Sequence, residues 1–267
     1  HQHSLVRDYC YHMLNRHERL HYHQLAAEYF ESERNYLSAA HHHFEQKAYG
    51  TALNLLTTQS QAIINAGGVG NLLEQLNRFQ REDLSAEQRV MLDKARGDCY
   101  SMRSEYEAAI HAYESALDTT IDPASRAYLA RQISNNYSRL GDFANAIKHA
   151  NHSLTVGESI HDQHLIAWAK HDLGAALYRF DRIDDAYRYL TQAESLNDTL
   201  HDRALATNIN LGLGSIAWKR QSMDEARQRF ELCRKISRET GDRYREAYAL
   251  GNLGLICGET GETQLQL

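Results

Sequence analysis

A repeated small residue constrains the fold of this 267-residue chain more than any other feature. The segments around Gly174, Gly214 and Gly254 align without gaps at two steps of 40 residues. Gly97 and Ser134 continue the series upstream at slightly shorter spacing. A fixed period of this length is typical of stacked supersecondary units, and the chain's single proline fits nearly continuous helix.

A second signature follows the first four small residues. An alanine comes 12 residues after each of them, a larger apolar residue in most units four residues later, and a further small residue three after that. The alanines are Ala109, Ala146, Ala186 and Ala226. Spacings of three and four keep each set on one helical face. We therefore expect a small residue of one helix (helix A) to face a small residue of the next (helix B), and each pair to stack on its neighbour.

These residues resemble the tetratricopeptide repeat over roughly residues 88–258. The resemblance implies an all-α fold, an α-α superhelix built as a solenoid of antiparallel helix pairs. The period of 40 residues implies longer helices than the usual 34-residue repeat. We predict a helical arm over residues 1–84 and repeats over residues 85–267, comprising four full units and a fifth that lacks its helix B.

Local signals predict where individual helices begin and end. Gly141-Asp142, Gly241-Asp242 and Asp122-Pro123 are typical of helix boundaries, and Asn71 of an N-cap. Ser85 with Gln88 and Ser222 with Glu225 have the spacing of capping boxes. In the incomplete fifth unit we expect part of the cover to be missing from Leu250, Leu253 and Ile256. This favours a piece of a longer protein or a longer ordered array.

The N-terminal part follows a different pattern. The stretches from His3 to Phe30 and from Ala39 to Gly67 resemble the junction and helical arm that follow the winged-helix module of STAND signal-transduction NTPases, a class that includes large LuxR-type regulators. In that family a tetratricopeptide array comes next, as it does here. The resemblance implies an upstream NTPase switch in the same polypeptide, regulated when the repeats bind a ligand or a partner protein.

Composition excludes several classes of function. The formal net charge of -6 argues against bulk nucleic-acid binding, and neither a membrane-spanning run nor a signal peptide is found. The four scattered cysteines predict reduced thiols in a cytoplasmic protein. Gly67-Gly-Val-Gly70 lacks the lysine of a phosphate loop, and no catalytic constellation is recognisable. We therefore predict no enzyme activity and no cofactor.

Sixteen histidines raise the question of a metal site. His17 and His21 have the helical spacing of a ligand pair, but no third ligand accompanies them. The triplet His41–His43 cannot bind one ion, because neighbouring side chains on a helix point about 100° apart. The STAND resemblance instead implies helix–helix contacts for His21 and His41, and we predict no metal.

Tetratricopeptide arrays present helix A on their concave side, which implies a binding groove in units two to four. Arginine and lysine recur there in register beside aromatic rings, the residue types that dominate interface energetics. The expected groove residues are Tyr128, Arg131, Asn135, Arg139, Trp168, His171, Tyr178, Arg179, Asn208, Trp218 and Lys219. A basic lining suits an acidic peptide or a terminal carboxylate. A bland solvent-exposed surface is the competing interpretation.

Two functional hypotheses follow. The first is a sensor module that binds a protein or peptide in the groove and regulates the upstream NTPase. The second is a free-standing tetratricopeptide scaffold or peptide receptor. An enzyme is a third class, for which the sequence provides no nucleophile or acid–base pattern. The residues that line a repeat surface vary freely on a constant scaffold, so the sequence does not name the ligand.

Overall fold

The computed structural model describes residue 9 and residues 11–260, and these residues contain helices and turns but no strand. The helices are α1 (Arg16–Ser32), α2 (Tyr36–Glu45), α3 (Tyr49–Thr58), α4 (Ser60–Asn65), α5 (Val69–Asn77), α6 (Ala86–Met102), α7 (Tyr106–Thr119), α8 (Pro123–Leu140), α9 (Phe143–Ser159), α10 (Gln163–Arg179), α11 (Ile183–Leu200), α12 (Arg203–Lys219), α13 (Met223–Thr240) and α14 (Arg243–Thr260). The predicted all-α class is confirmed.

Packing divides the chain into two units, His1–Thr120 and Ile121–Leu267. The first unit contains α1 to α7 and the second α8 to α14. The boundary expected between residues 84 and 85 marks where the repeats begin in the sequence, not where the packing divides. It stays a prediction.

In the second unit, helices pack in adjacent pairs, as the repeat signature predicts: α8 with α9, α10 with α11, and α12 with α13. The small residues explain the close approach. A Cβ added at Gly174 would lie 2.7 Å from Leu190 Cγ and 3.2 Å from the carbonyl oxygen of Ala186. At Ser134 the hydroxyl instead donates a 2.7 Å hydrogen bond to the carbonyl of Ala146. The alignment of small residues therefore identified the contact between the helices of a pair.

The turns between these helices repeat as well. Each connection in the second unit contains a residue with positive φ just before the N-cap of the next helix: Gly141, His161, Asp181, His201, Gln221 and Gly241. Only two of the six are glycine, so four side chains occupy a left-handed conformation that costs roughly 1 kcal/mol or more each. The sequence signalled the two glycines alone.

Most predicted caps form. Asp122 and Asp142 accept hydrogen bonds from the backbone N–H groups of Ser125 and Asn145, and Ser85 forms its capping box with Gln88. The capping box predicted at Ser222 is wrong. The N–H of Ser222 donates to the carbonyl of Ala217 at 2.9 Å, closing the preceding turn. That donor is therefore not left for a glutamate side chain.

Two further expectations were wrong. Asn71 is not an N-cap, because α5 begins at Val69 and the N–H of Leu72 already bonds the carbonyl of Gly68 at 2.9 Å. In the fifth unit, Leu253 and Ile256 do not lack cover. They are buried against Ala217, Ala226 and Phe230, because they lie on the side of α14 that faces α13.

The core of the first unit lies among α3, α5 and α6, where leucines such as Leu53, Leu72 and Leu92 are buried. In the repeat pair of α6 and α7, a Cβ at Gly97 would lie 2.6 Å from Tyr113 Cε1. The described cysteines, Cys99, Cys233 and Cys257, are free, while Cys10 lies outside the described residues.

Histidines of α1 and α2 form a cluster in the first unit. The Nδ1 atoms of His23 and His42 lie 2.8 Å apart, and the His42 ring stacks on Phe30. Burial, and then the nearby charges of His23 and His41, lower the pKa of His42 to about 4. The helix–helix contact implied for His41 is present, since Nη1 of Arg78 lies 2.8 Å from His41 Nδ1.

His21, by contrast, is exposed, and His23 takes the contact between helices instead. Within residues 11–260, no group of three or more His, Cys, Asp or Glu residues is arranged to hold a metal ion. His1 and His3 lie outside the described residues.

Candidate partner-binding face

The first helices of successive pairs in the second unit lie side by side. Helix α8 contacts α10, α10 contacts α12, and α12 contacts α14. We call the surface that they present together the A-helix face. All 11 predicted groove residues belong to α8, α10 or α12, and most of them are linked by side-chain contacts that cross from one of these helices to the next.

A buried ion pair holds α8 to α10. Nε of Arg131 lies 2.8 Å from Oδ2 of Asp172, and the two side chains are only 13% and 3% exposed. The guanidinium also lies over the Trp168 ring, 4.3 Å from its centroid. His171 Nδ1 approaches the other carboxylate oxygen at 2.9 Å. Two predicted groove residues, Arg131 and His171, therefore contact one acid that the sequence did not reveal, and Trp168 packs on the arginine.

The Arg131–Asp172 contact is electrostatic rather than a well-directed hydrogen bond. Arg131 Nε and Asp172 Oδ2 are both buried and have no partner that satisfies hydrogen-bond geometry. Removing either partner would leave the other charge buried and uncompensated, which costs several kcal/mol in typical cases. This buried contact therefore stabilises the packing of α8 on α10 and is not part of the exposed surface of the face.

A second acid joins α10 to α12. Asp202 caps α12 by accepting from the backbone N–H of Leu205 at 3.0 Å. Its Oδ2 also accepts from Trp168 Nε1 at 2.9 Å and lies 2.9 Å from His164 Nε2. Burial raises the pKa of Asp202, but these hydrogen bonds outweigh it and hold the pKa below its usual range. One carboxylate thus both begins α12 and fixes the indole ring.

The outer edge of the face carries exposed cations. Arg179 donates from Nη1 to the carbonyl of Ser138 at 3.1 Å, which satisfies a terminal carbonyl of α8. Lys219 forms an ion pair with Asp181 and lies 5.8 Å from the Tyr178 ring centroid. Within the described chain no carboxylate forms an ion pair with Arg179. Its charge is therefore available to an incoming anion.

The remaining contacts run from α12 to α14. Nε of Arg245 donates to Oδ1 of Asn208 at 3.0 Å, and Nε1 of Trp218 donates to Oε2 of Glu259 at 2.9 Å. Glu259 stands 40 residues after Lys219, so the fourth residue of the basic series is an acid.

Helix α8 carries the other predicted residues. Tyr128 and Asn135 are half-buried, and Arg139 is exposed in the last turn.

One of the two acids that organise this face had a signal in the sequence. Asp122, Asp162, Asp202 and Asp242 recur at steps of 40, and each accepts a backbone N–H three residues on. That series would have found Asp202. Asp172 had no comparable signal, because its role depends on the distance between α8 and α10.

The comparisons with known proteins agree with this architecture. A family model of the tetratricopeptide repeat matches residues 125–198, which span α8 to α10 and most of α11. No curated protein sequence matches the chain. The match covers the first half of the second unit.

Several solved structures share the fold. A Rap protein complexed with Competence and Sporulation Factor superposes with a TM-score of 0.68 at 15% identity, covering 91% of this chain and 71% of that one. PlcR of Bacillus thuringiensis, in complex with the peptide PapR7 and DNA, gives 0.62 at 16%, covering 75% and 74%. A STAND protein with a tetratricopeptide repeat sensor from Pyrococcus horikoshii gives 0.57 at 14%, covering 84% and 40%. At these identities the likeness concerns the fold alone.

No helix in the described residues is long and apolar enough to cross a membrane.

Proposed function

We propose that this chain is a sensor module that binds a linear peptide, or an extended segment of a protein, along the A-helix face. One observation carries the proposal. Arg179 is an exposed cation without a carboxylate partner in the described chain, and it stands next in sequence to the half-buried aromatic ring of Tyr178. Arginine and tyrosine are both residue types enriched at binding hot spots.

The electrostatics favour an acidic ligand. The chain as a whole is acidic, with a formal net charge of -6, whereas Arg139, Arg179 and Lys219 align along one face. A carboxylate placed at Arg179 would accept charge-assisted hydrogen bonds, which are stronger than those between neutral groups. The fold gives further support, because the similar PlcR structure is a complex with a peptide and the Rap structure is a complex with Competence and Sporulation Factor.

We further propose that peptide binding regulates an NTPase module encoded upstream in the same polypeptide, in the cytoplasm. The helical arm before the repeats and the likeness to a STAND protein with a repeat sensor support this step. The alternative is a free-standing scaffold or peptide receptor, which the Rap and PlcR structures favour. The flanking coding sequence distinguishes the two. An in-frame NTPase module before His1 supports regulation, and a reading frame that starts close to His1 contradicts it.

Binding itself is tested with a random 12-residue peptide library displayed on phage. The bait is the whole chain, compared with Arg139→Glu/Arg179→Glu. We expect acidic peptides to be enriched on the wild type and to bind the double variant at least about tenfold more weakly, since each lost charged hydrogen bond is worth about 1.5–3 kcal/mol.

The matched control is Arg188→Glu, which reverses an exposed arginine on α11, outside the A-helix face. It should leave binding unchanged, and circular dichroism should show equal helicity for all three proteins. Equal enrichment on the double variant and the wild type would contradict the proposed function.

A further inference from the structure

The last helix of the second unit has an exposed apolar stripe. Tyr244, Tyr248 and Leu255 are 77%, 50% and 53% exposed, and Gly251 and Gly258 lie on the same stripe. They follow one another at spacings of three and four, which places them on one side of α14. The opposite side is the one that packs on α13. The stripe is therefore separate from the contact that holds α14 in the array.

Register places this stripe on the A-helix face. Tyr248, Gly251, Leu255 and Glu259 stand 40 residues after Asn208, Leu211, Ser215 and Lys219, and 80 after Trp168, His171, Ala175 and Arg179. The contact between Trp218 and Glu259 also shows that the end of α14 lies beside α12 on this face.

The chemistry of the face changes from α8 to α14. The row that begins with Arg131 continues as His171, Leu211 and Gly251. The row that begins with Arg139 continues as Arg179, Lys219 and Glu259. In these two rows, the α8–α10 end therefore carries arginines and a histidine, whereas the α14 end carries a glycine and an acid.

Gly251 leaves open space at this end. A Cβ built on Gly251 or on Gly258 would meet no atom within 4 Å, although the equivalent His171 carries a full side chain. Tyr248 and Leu255 lie three and four residues from Gly251 and flank it on the helix surface. We call this bare backbone position between the side chains of Tyr248 and Leu255 the notch.

We infer that this notch is a second subsite of the proposed peptide-binding face, and that it takes one large aliphatic or aromatic side chain of the ligand. The inference rests on the proposed function, since the same peptide places an acidic residue at Arg179. Glu259 repels a carboxylate at the α14 end, so the peptide binds in one direction, with its acidic part toward α10 and its apolar part toward α14.

The structure also sets the distance between the two ligand residues. Two neighbouring-helix steps of about 8–10 Å each separate α10 from α14. In the repeat register, Arg179 corresponds to Glu259. Glu259 lies four to eight residues beyond the notch, which is an offset of about 6–12 Å along the helix axis. The combined span is about 17–23 Å. An extended chain covers about 3.3 Å per residue, so the acidic and apolar residues lie about five to seven positions apart.

A second copy of this chain is a poorer occupant of the stripe. Tyr244, Tyr248 and Leu255 together offer on the order of 400 Å² of side-chain surface, because an aromatic side chain buries about 150–250 Å² when fully covered and all three are at least half-exposed. A stable interface buries about 800 Å² on each partner. The patch matches one or two ligand side chains better than it matches a protein surface.

The test uses the 12-residue phage library on the whole chain, with the variants Gly251→Leu, which fills the notch, and Leu255→Asp, which makes it acidic. On the wild type we expect an acidic residue and, five to seven positions away, a Leu, Ile, Met or Phe. On both variants the apolar preference should disappear while the acidic preference remains. The selected peptides, synthesised and labelled, should bind the variants at least about tenfold more weakly.

The control is Leu232→Asp, which changes an exposed leucine on α13 outside the A-helix face and should leave peptide selection unchanged. Acidic peptides without the spaced apolar residue would overturn the notch and leave the proposed function standing. No enrichment of acidic peptides would overturn the proposed function itself. A wild-type dimer in sedimentation that Leu255→Asp converts to a monomer would assign the stripe to self-association and overturn the inference.

Discussion

Gly174 and Gly251 permit a direct measurement of how strongly close helix packing constrains the repeat. Both glycines lie inside α-helices of the same unit, at α10 and α14. A Cβ at Gly174 would lie 2.7 Å from Leu190 Cγ, whereas a Cβ at Gly251 would meet nothing within 4 Å. The same exchange, glycine to alanine, therefore tests two environments that differ mainly in packing.

The expected magnitudes follow from two contributions. Alanine is favoured over glycine inside a helix by about 0.8–1 kcal/mol, and this gain applies at both sites. Forcing an extra methyl group into a packed contact costs about 1–3 kcal/mol. Gly251→Ala should therefore raise the free energy of unfolding by up to about 1 kcal/mol. Gly174→Ala should lower it by up to about 2 kcal/mol, and the difference between the variants isolates the packing cost.

Urea unfolding followed by circular dichroism at 222 nm measures both variants. With a slope of about 1–3 kcal/mol per molar urea, a difference of about 2 kcal/mol separates the two midpoints by roughly 1 M. Leu190 is fully buried, so Leu190→Ala is itself destabilising, but we expect it to cost less in the Gly174→Ala background than in the wild type, because there it also removes the clashing side chain. Coincident midpoints, or a Gly174→Ala protein more stable than Gly251→Ala, would refute the account of the small residues as close-approach positions.

Three further perturbations test the caps, the turns and the histidine cluster. Because the pKa of His42 is lowered from 6.5 to about 4 on folding, its stabilising effect is complete above pH 6.5 and is lost as the pH falls toward 4. Hydrogen exchange in α1 and α2 should show a loss of about 1 kcal/mol, allowing for solvent screening, that His42→Phe reduces and His111→Phe, at an exposed site, does not; a part remains because burial also lowers the pKa of His23. Asp202→Ala should cost about 1–2 kcal/mol in thermal unfolding and change Trp168 fluorescence, because the cap and the indole partner are lost together; unchanged fluorescence would contradict the shared role. Gly141→Ala should cost about 1–2 kcal/mol although its Cβ would meet no atom, because the cost lies in the left-handed backbone; Gly141→Asn should be milder, and equal losses would count against this origin.

The helix pairing of the second unit was predictable because a single physical requirement leaves a visible trace. Two helices approach closely only where both lack bulk, so glycine, serine and alanine recur at fixed spacing. The prediction of a helix cap failed where the backbone N–H of the capping residue already has a partner in the preceding turn. Ser222 has the right side chain for a capping box, but its N–H already closes a turn with Ala217.

The candidate face was predictable as a set of positions but not as a set of contacts. The repeat register placed Arg131, Trp168 and His171 on neighbouring helices. It did not reveal Asp172, because the choice of ion-pair partner depends on side-chain reach across two helices. The predicted groove also ended at the fourth unit, although the repeat register continues into the fifth. Extending it by 40 residues reaches Glu259, where the sign of the charge reverses.

The left-handed turn residues bear on how such an array can be modified. His161, Asp181, His201 and Gln221 occupy a conformation that glycine adopts at no steric cost, as Gly141 and Gly241 do at the equivalent connections. Replacing these residues with glycine should therefore stabilise the array. Because the sites are structurally equivalent and far apart, the gains in the free energy of unfolding can be added. Asp181 is the exception, since its carboxylate pairs with Lys219 and a glycine there would also alter the charge of the candidate face. Turn engineering could thus strengthen the scaffold at three connections without altering the residues proposed to bind.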